Sequence, residues 1–93
     1  METINGIGTL YNMDGKQTIA AINYQIIYKP PTQFSFGEWW GSLNPVNDQS
    51  LLELGEYIIE LEDKRRGKII INRINAQSGL PAGYEFLGSG PIK

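Results

Sequence analysis

Extended segments rich in isoleucine, tyrosine and tryptophan alternate with turn signals from Thr3 to Gly90. A chain with that rhythm builds an all-β fold, since period-two alternation puts one face of each segment in a core and the other in solvent. Six such segments, separated by turns about every eight to twelve residues, predict a small six-stranded antiparallel barrel or sandwich. Hairpin connections dominate, so most of the topology reads as a meander. Closure would also remove the edges that an open sheet this apolar exposes.

The first segment covers residues 3–12, with Ile4, Gly6, Gly8 and Leu10 on one face and Ile7, Thr9 and Tyr11 on the other. Its glycines suit a bend or bulge. Asp14-Gly15 is a strong hairpin signal. The second segment, 17–28, alternates Ile22, Tyr24, Ile26 and Tyr28 with Asn23, Gln25 and Ile27, and Pro30-Pro31 stops it. The third, 34–43, places Phe34, Phe36, Glu38 and Trp40 on one face and Trp39, Gly41 and Leu43 on the other. Adjacent tryptophans in a strand point to opposite sides, so one enters the core and the other faces the surface or a covering loop.

Residues 44–55 form a longer connection. Ser50-Leu51-Leu52-Glu53 matches a capping box, and Gly55 is placed to end a helix. Only one short helical turn fits, near residues 50–54, with Leu51, Leu52 and Leu54 plugging one end of the barrel. The fourth strand spans 56–62, with Tyr57, Ile59 and Leu61 inward. A polar hairpin loop over 63–67 leads to the fifth, 68–75, which carries Ile69 and Ile71 on one face and Ile70, Asn72 and Ile74 on the other. Isoleucine on both faces suggests a central strand or one partly covered by a neighbour. The sixth is short, 84–88.

At 93 residues the chain suits one domain, residues 1–93, with a core that is adequate and not generous. Its 41% hydrophobic and 19% charged content is that of an ordinary globular protein. There is no histidine and no cysteine. Those two residues do most acid–base, nucleophilic and transition-metal work at neutral pH, so no catalytic residue, metal ligand set or cofactor site is expected. A net charge of −2 argues against the broad basic field of a general nucleic-acid binder. No apolar run reaches transmembrane length and no secretory signal is evident, so the expected setting is the cytoplasm, without a membrane.

Three features remain as candidate sites. Aromatic residues on the third strand, Phe36, Trp39 and Trp40, either fill the core or anchor a partner. Glu38 sits between Phe36 and Trp40. If buried it would titrate high and act as a general acid, whereas at a barrel mouth it stays in water. The basic run containing Arg65, Arg66 and Lys68 offers forks for phosphate, but Glu60, Glu62 and Asp63 beside it cancel much of its field. Phosphate-binding glycine motifs and catalytic triads are absent from the sequence.

The expected function is therefore a binding or interaction module, not an enzyme, meeting a protein partner or a second copy of itself through the third strand. The alternatives are a single-stranded nucleic-acid binder of OB- or SH3-like shape, and an enzyme that works with carboxylates alone.

Overall fold

The computed structural model describes residues 1–35, 37–46, 52–75 and 83–93. Six strands form: β1 (Glu2–Tyr11), β2 (Thr18–Lys29), β3 (Glu38–Pro45), β4 (Gly55–Glu60), β5 (Arg66–Asn75) and β6 (Gly83–Ser89). They close into a barrel in the order β1-β2-β3-β6-β5-β4, and every pairing is antiparallel. The architecture is thus a barrel, made of two three-strand meanders joined along β3–β6 and β1–β4.

β3 and β4 lie opposite each other in the ring. Leu52, shortly before β4, is buried, and its N–H donates to the Tyr84 hydroxyl at 3.0 Å. The leucine plug is therefore real at Leu52, whereas Leu54 is 59% exposed and Leu51 lies outside the described residues. The helical turn expected near residues 50–54 is corrected where the chain is described. Residues 52–54 have irregular backbone, and residues 50 and 51 lie outside the described set. Two tyrosines satisfy main-chain groups there, because the Tyr57 hydroxyl also donates to the Glu53 carbonyl at 2.8 Å. Gly55, with φ +145°, opens β4 instead of closing a helix.

Asp14-Gly15 turns the first hairpin as expected. Gly15 takes φ +70°, its N–H donates to the Asn12 carbonyl, and one Asp14 carboxylate oxygen accepts from the N–H groups of Lys16 and Gln17 at 2.8 and 3.0 Å. Those two bonds, Lys16 foremost, hold the Asp14 carboxyl below its ordinary value of 3.8. A lowered folded value means the contribution is present above pH 3.8 and is lost as pH falls through the folded value. An acid titration followed by NMR is expected to move the Lys16 and Gln17 amide signals with a midpoint below 3.8. A midpoint at or above that value would contradict the turn geometry.

The third strand begins later than the alternation suggests. Phe34 is 89% exposed in a local turn, where Thr32 and Ser35 bridge each other and the Thr32 hydroxyl accepts from the Phe34 N–H. That turn satisfies its own main chain, so Phe34 has no ladder to join. Phe36 lies outside the described residues.

The second hairpin also differs from expectation. Its left-handed residue is Lys64, φ 75°, and Gly67 is already inside β5. A further correction concerns Ile74. β5 shifts register between Ile71 and Arg73, so Ile74 comes opposite the buried Tyr84 and is not aligned with Ile70. The extra residue of a bulge reverses the faces beyond it.

The core is apolar throughout, with Leu10, Ile22, Ile26, Leu43, Ile59 and Ile69 fully enclosed. Its buried tyrosines and tryptophan each present a polar tip to a covering segment. The Tyr24 hydroxyl accepts from Glu62 N–H at 3.1 Å, and Trp39 Nε1 donates to the Gly90 carbonyl at 2.8 Å. Each tip thereby satisfies a main-chain group while its ring fills the barrel.

Candidate functional site

The two tryptophans divide as the strand geometry requires. Trp39 is buried, 5% exposed, and its ring meets Phe86 edge-on at 6.2 Å. Trp40 faces outward and is half-buried. Glu38, at the start of β3, is exposed.

The ladder registers show what surrounds Trp40. Ile27 on β2 is directly opposite Trp40, Trp40 is opposite Leu87 on β6, and Leu87 is opposite Ile70 on β5. Residues directly opposite in an antiparallel pair lie on the same face. Ile27, Trp40, Leu87 and Ile70 therefore form one outward apolar row across four adjacent strands. At the usual strand spacing of about 4.8 Å, the row is about 14 Å long. Leu87 is 50% exposed and Ile70 is 37% exposed. Polar residues flank it. On one side lie two separate pairs, Lys29 with Glu38 and Ser89 with Lys68, and on the other the continuous row Gln25, Ser42, Glu85 and Arg73.

The basic run is organised differently. Arg65 Nε bonds Asp63 at 2.7 Å, and Lys68 Nζ reaches Glu56 at 3.3 Å. Arg66 Nε bonds Glu60 at 2.8 Å, its Nη1 donates to the Gly15 carbonyl, and its guanidinium lies 4.4 Å over the Tyr11 ring. Arg66 therefore binds the β1–β2 turn to the β4–β5 hairpin. Main-chain and side-chain bonds from Arg65 hold the Asp63 carboxyl below its ordinary value. These cations already have acidic partners within the chain.

Two concavities flank the C-terminal tail. A cleft of about 620 Å³ is lined by Tyr28, Glu38, Trp39, Trp40 and Ile92 among others, and a groove of about 420 Å³ by Met13, Ile58, Arg66 and Lys68 among others. Pro91 lines both, so the tail is the wall between them. Arg66 N–H donates to the Lys93 carbonyl at 2.8 Å, and Lys93 N–H returns a bond to Arg66 at 2.9 Å, which fixes the tail along β5. The structure thus brings Glu38, Trp39 and Trp40 to one cleft, places Arg66 and Lys68 on the other side of the wall, and leaves Arg65 at neither.

Among the described residues no group of three or more acidic, histidine or cysteine side chains is placed to hold a metal ion, and no helix is long and apolar enough to cross a membrane. No family model, curated protein or solved structure matches this chain.

Sequence reasoning missed Ile27, Leu87 and Ile70. Each is an ordinary surface hydrophobe within its own strand, and β2 and β5 each carry another exposed isoleucine, Ile19 and Ile74. Only the order β2-β3-β6-β5 aligns them, and no residue pattern in the chain announces that order.

Proposed function

We propose that this barrel is a protein-interaction module whose contact surface is centred on Trp40. The observation that carries the reading is the row Ile27, Trp40, Leu87 and Ile70, in register across four strands and flanked by polar residues on both sides. Scattered surface hydrophobes need no explanation, but a continuous row with a central tryptophan does. Binding would bury the tryptophan face and leave Glu38, Lys29, Gln25 and Glu85 as a hydrated rim that sets orientation.

Nucleic acid is the weaker alternative. Base stacking needs an open aromatic face beside uncommitted cations, and Arg65, Arg66 and Lys68 are engaged by Asp63, Glu60 and Glu56. Carboxylate-only catalysis draws no support from Glu38, which is exposed at the start of β3.

A photo-reactive amino acid at Leu87 tests the proposal in cells. The expected result is one discrete protein adduct that disappears when Trp40→Ser is added. A second probe at Lys16, on the β1–β2 turn, should give no such adduct. Equal labelling from both positions, or a Leu87 adduct indifferent to Trp40→Ser, would overturn the assignment.

A further inference from the structure

β1 is paired along its whole length on one side and along only a fraction of it on the other. The β2 ladder runs from Glu2 to Tyr11, whereas the β4 ladder covers only Thr9, Leu10 and Tyr11. β4 ends at Glu60, and the chain then turns away through Leu61 and Glu62. The Glu62 carboxylate accepts from Ile7 N–H at 2.9 Å. That bond fixes which residues aim their main-chain groups at the unpaired side, because alternate residues of a strand point the same way. They are Ile7, Asn5 and Thr3. Among the described residues nothing takes the N–H and C=O groups of Thr3 and Asn5 on that side.

Open edges are templates for another strand, and natural sheets guard them with lysine, proline or a cover. Residues 2–6 carry neither lysine nor proline, only Glu2 at one end. The geometry points to a second copy of this chain as the occupant, joined by antiparallel pairing of β1 with β1 about a two-fold axis at Ile4. In that register Thr3 lies opposite Asn5 of the second copy, and Asn5 opposite Thr3. All four open groups on each copy are used, giving four main-chain bonds, and the Ile7–Glu62 bond stays intact. Glu2 faces Gly6, beside which the Glu62 carboxylate lies, so this end of the pairing is favoured by added salt. Met1 and Ile7, 86% and 55% exposed on the outward face, come opposite each other. Moving the axis to Asn5 would demand the Ile7 N–H that Glu62 already holds. Moving it to Thr3 would leave Asn5 opposite Met1, at the fraying start of the strand. This self-complementarity favours a second copy over an unrelated peptide. It is a main-chain contact along an edge, whereas the Trp40 row lies on a sheet face, although Thr3 is directly opposite Ile27 at the end of that row.

Sedimentation velocity over micromolar to millimolar protein concentration tests it. The wild-type chain is expected to pass from monomer to dimer. The double variant T3K/N5K places lysine opposite lysine at both pairs and should weaken dimerisation by about tenfold or more. T3K/N5E places opposite charges at the same two pairs and should restore it. Thr3 and Asn5 are exposed, so neither variant disturbs the core. Amide hydrogen exchange on the unmodified protein gives a second readout, with protection of Thr3 and Asn5 rising with concentration. A wild-type monomer at millimolar concentration overturns the inference. So does a dimer that survives T3K/N5K with unchanged affinity, or one that Trp40→Ser abolishes while Thr3 and Asn5 amides exchange freely. In that last case the Trp40 row is the self-association surface and the edge is not.

Discussion

Trp39→Ala is expected to lower the unfolding free energy by about 3–5 kcal/mol, the usual cost of emptying a large aromatic site in a core. For a small domain that is a large share of the total stability. The ring sits against Phe86 and over two glycines. A methyl group built at Gly88 would overlap the indole at Cε2, Cδ2 and Nε1, and one at Gly67 would come within 2.8 Å of Cζ2. β5 and β6 therefore leave room for one ring that β3 supplies. The same ring donates to the Gly90 carbonyl, so its loss also loosens the tail that carries Pro91, Ile92 and Lys93. Urea unfolding measures the loss. The converse substitution, Gly88→Ala, should destabilise by about 1–3 kcal/mol through overpacking. In a Trp39→Ala background that penalty should largely vanish, because the obstructing ring is gone. A Gly88→Ala penalty unchanged in that background would show that the glycine serves some other contact.

The strands were legible because period two survives in this chain with few exceptions. Tyr24 and Ile26, Ile59 and Leu61, and Ile69 and Ile71 are buried where the alternation places them. Asp14-Gly15 was legible because the turn is local. The second hairpin was not. Gly67 reads as its turn residue, yet its lack of a side chain serves the Trp39 ring, and Lys64 takes the left-handed position. A glycine's sequence context does not say whether it frees the backbone or makes room for a neighbour. Phe34 misled for a related reason: aromatic alternation continued into a segment that had already satisfied its main chain in the Thr32–Ser35 turn.

Half of the candidate site was legible. Trp40 stands out beside Trp39, since adjacent residues of a strand cannot both enter one core. Its neighbours could not be found, because Leu87 and Ile70 come from strands that reach β3 only through the non-sequential β3–β6 pairing. The open β1 edge was hidden in the same way. Residues 2–8 look like any strand, and only the early end of β4 leaves part of them without a second neighbour. The basic run was visible, but its commitment to Glu60, Asp63 and Glu56 depends on which side chains the hairpin brings face to face.

Barrel closure gives the second large effect. β1 and β4 meet over only three residue pairs, Thr9 with Glu60, Leu10 with Ile59 and Tyr11 with Ile58. Gly8 lies at the end of that seam. A methyl group there would overlap the Glu60 carbonyl oxygen and stand 3.0 Å from Cε2 of the buried Tyr24. Rotamer changes cannot relieve a collision with main chain, so β4 must retreat from β1. Gly8→Ala is therefore expected to cost about 1–3 kcal/mol, toward the upper end. Its signature should be local. Amides of Thr9 and Tyr11 should lose exchange protection more than those of the longer β2–β3 ladder, because a three-residue seam has little reserve. Gly83→Ala is the control, being the same substitution in a strand where the nearest atoms would lie 3.6 and 3.8 Å away. It should stay within about 0.5 kcal/mol of wild type. Equal losses at the two positions would mean that alanine for glycine in these strands carries a general cost. They would also mean that the close approach of Gly8 to Glu60 is not what holds the barrel shut.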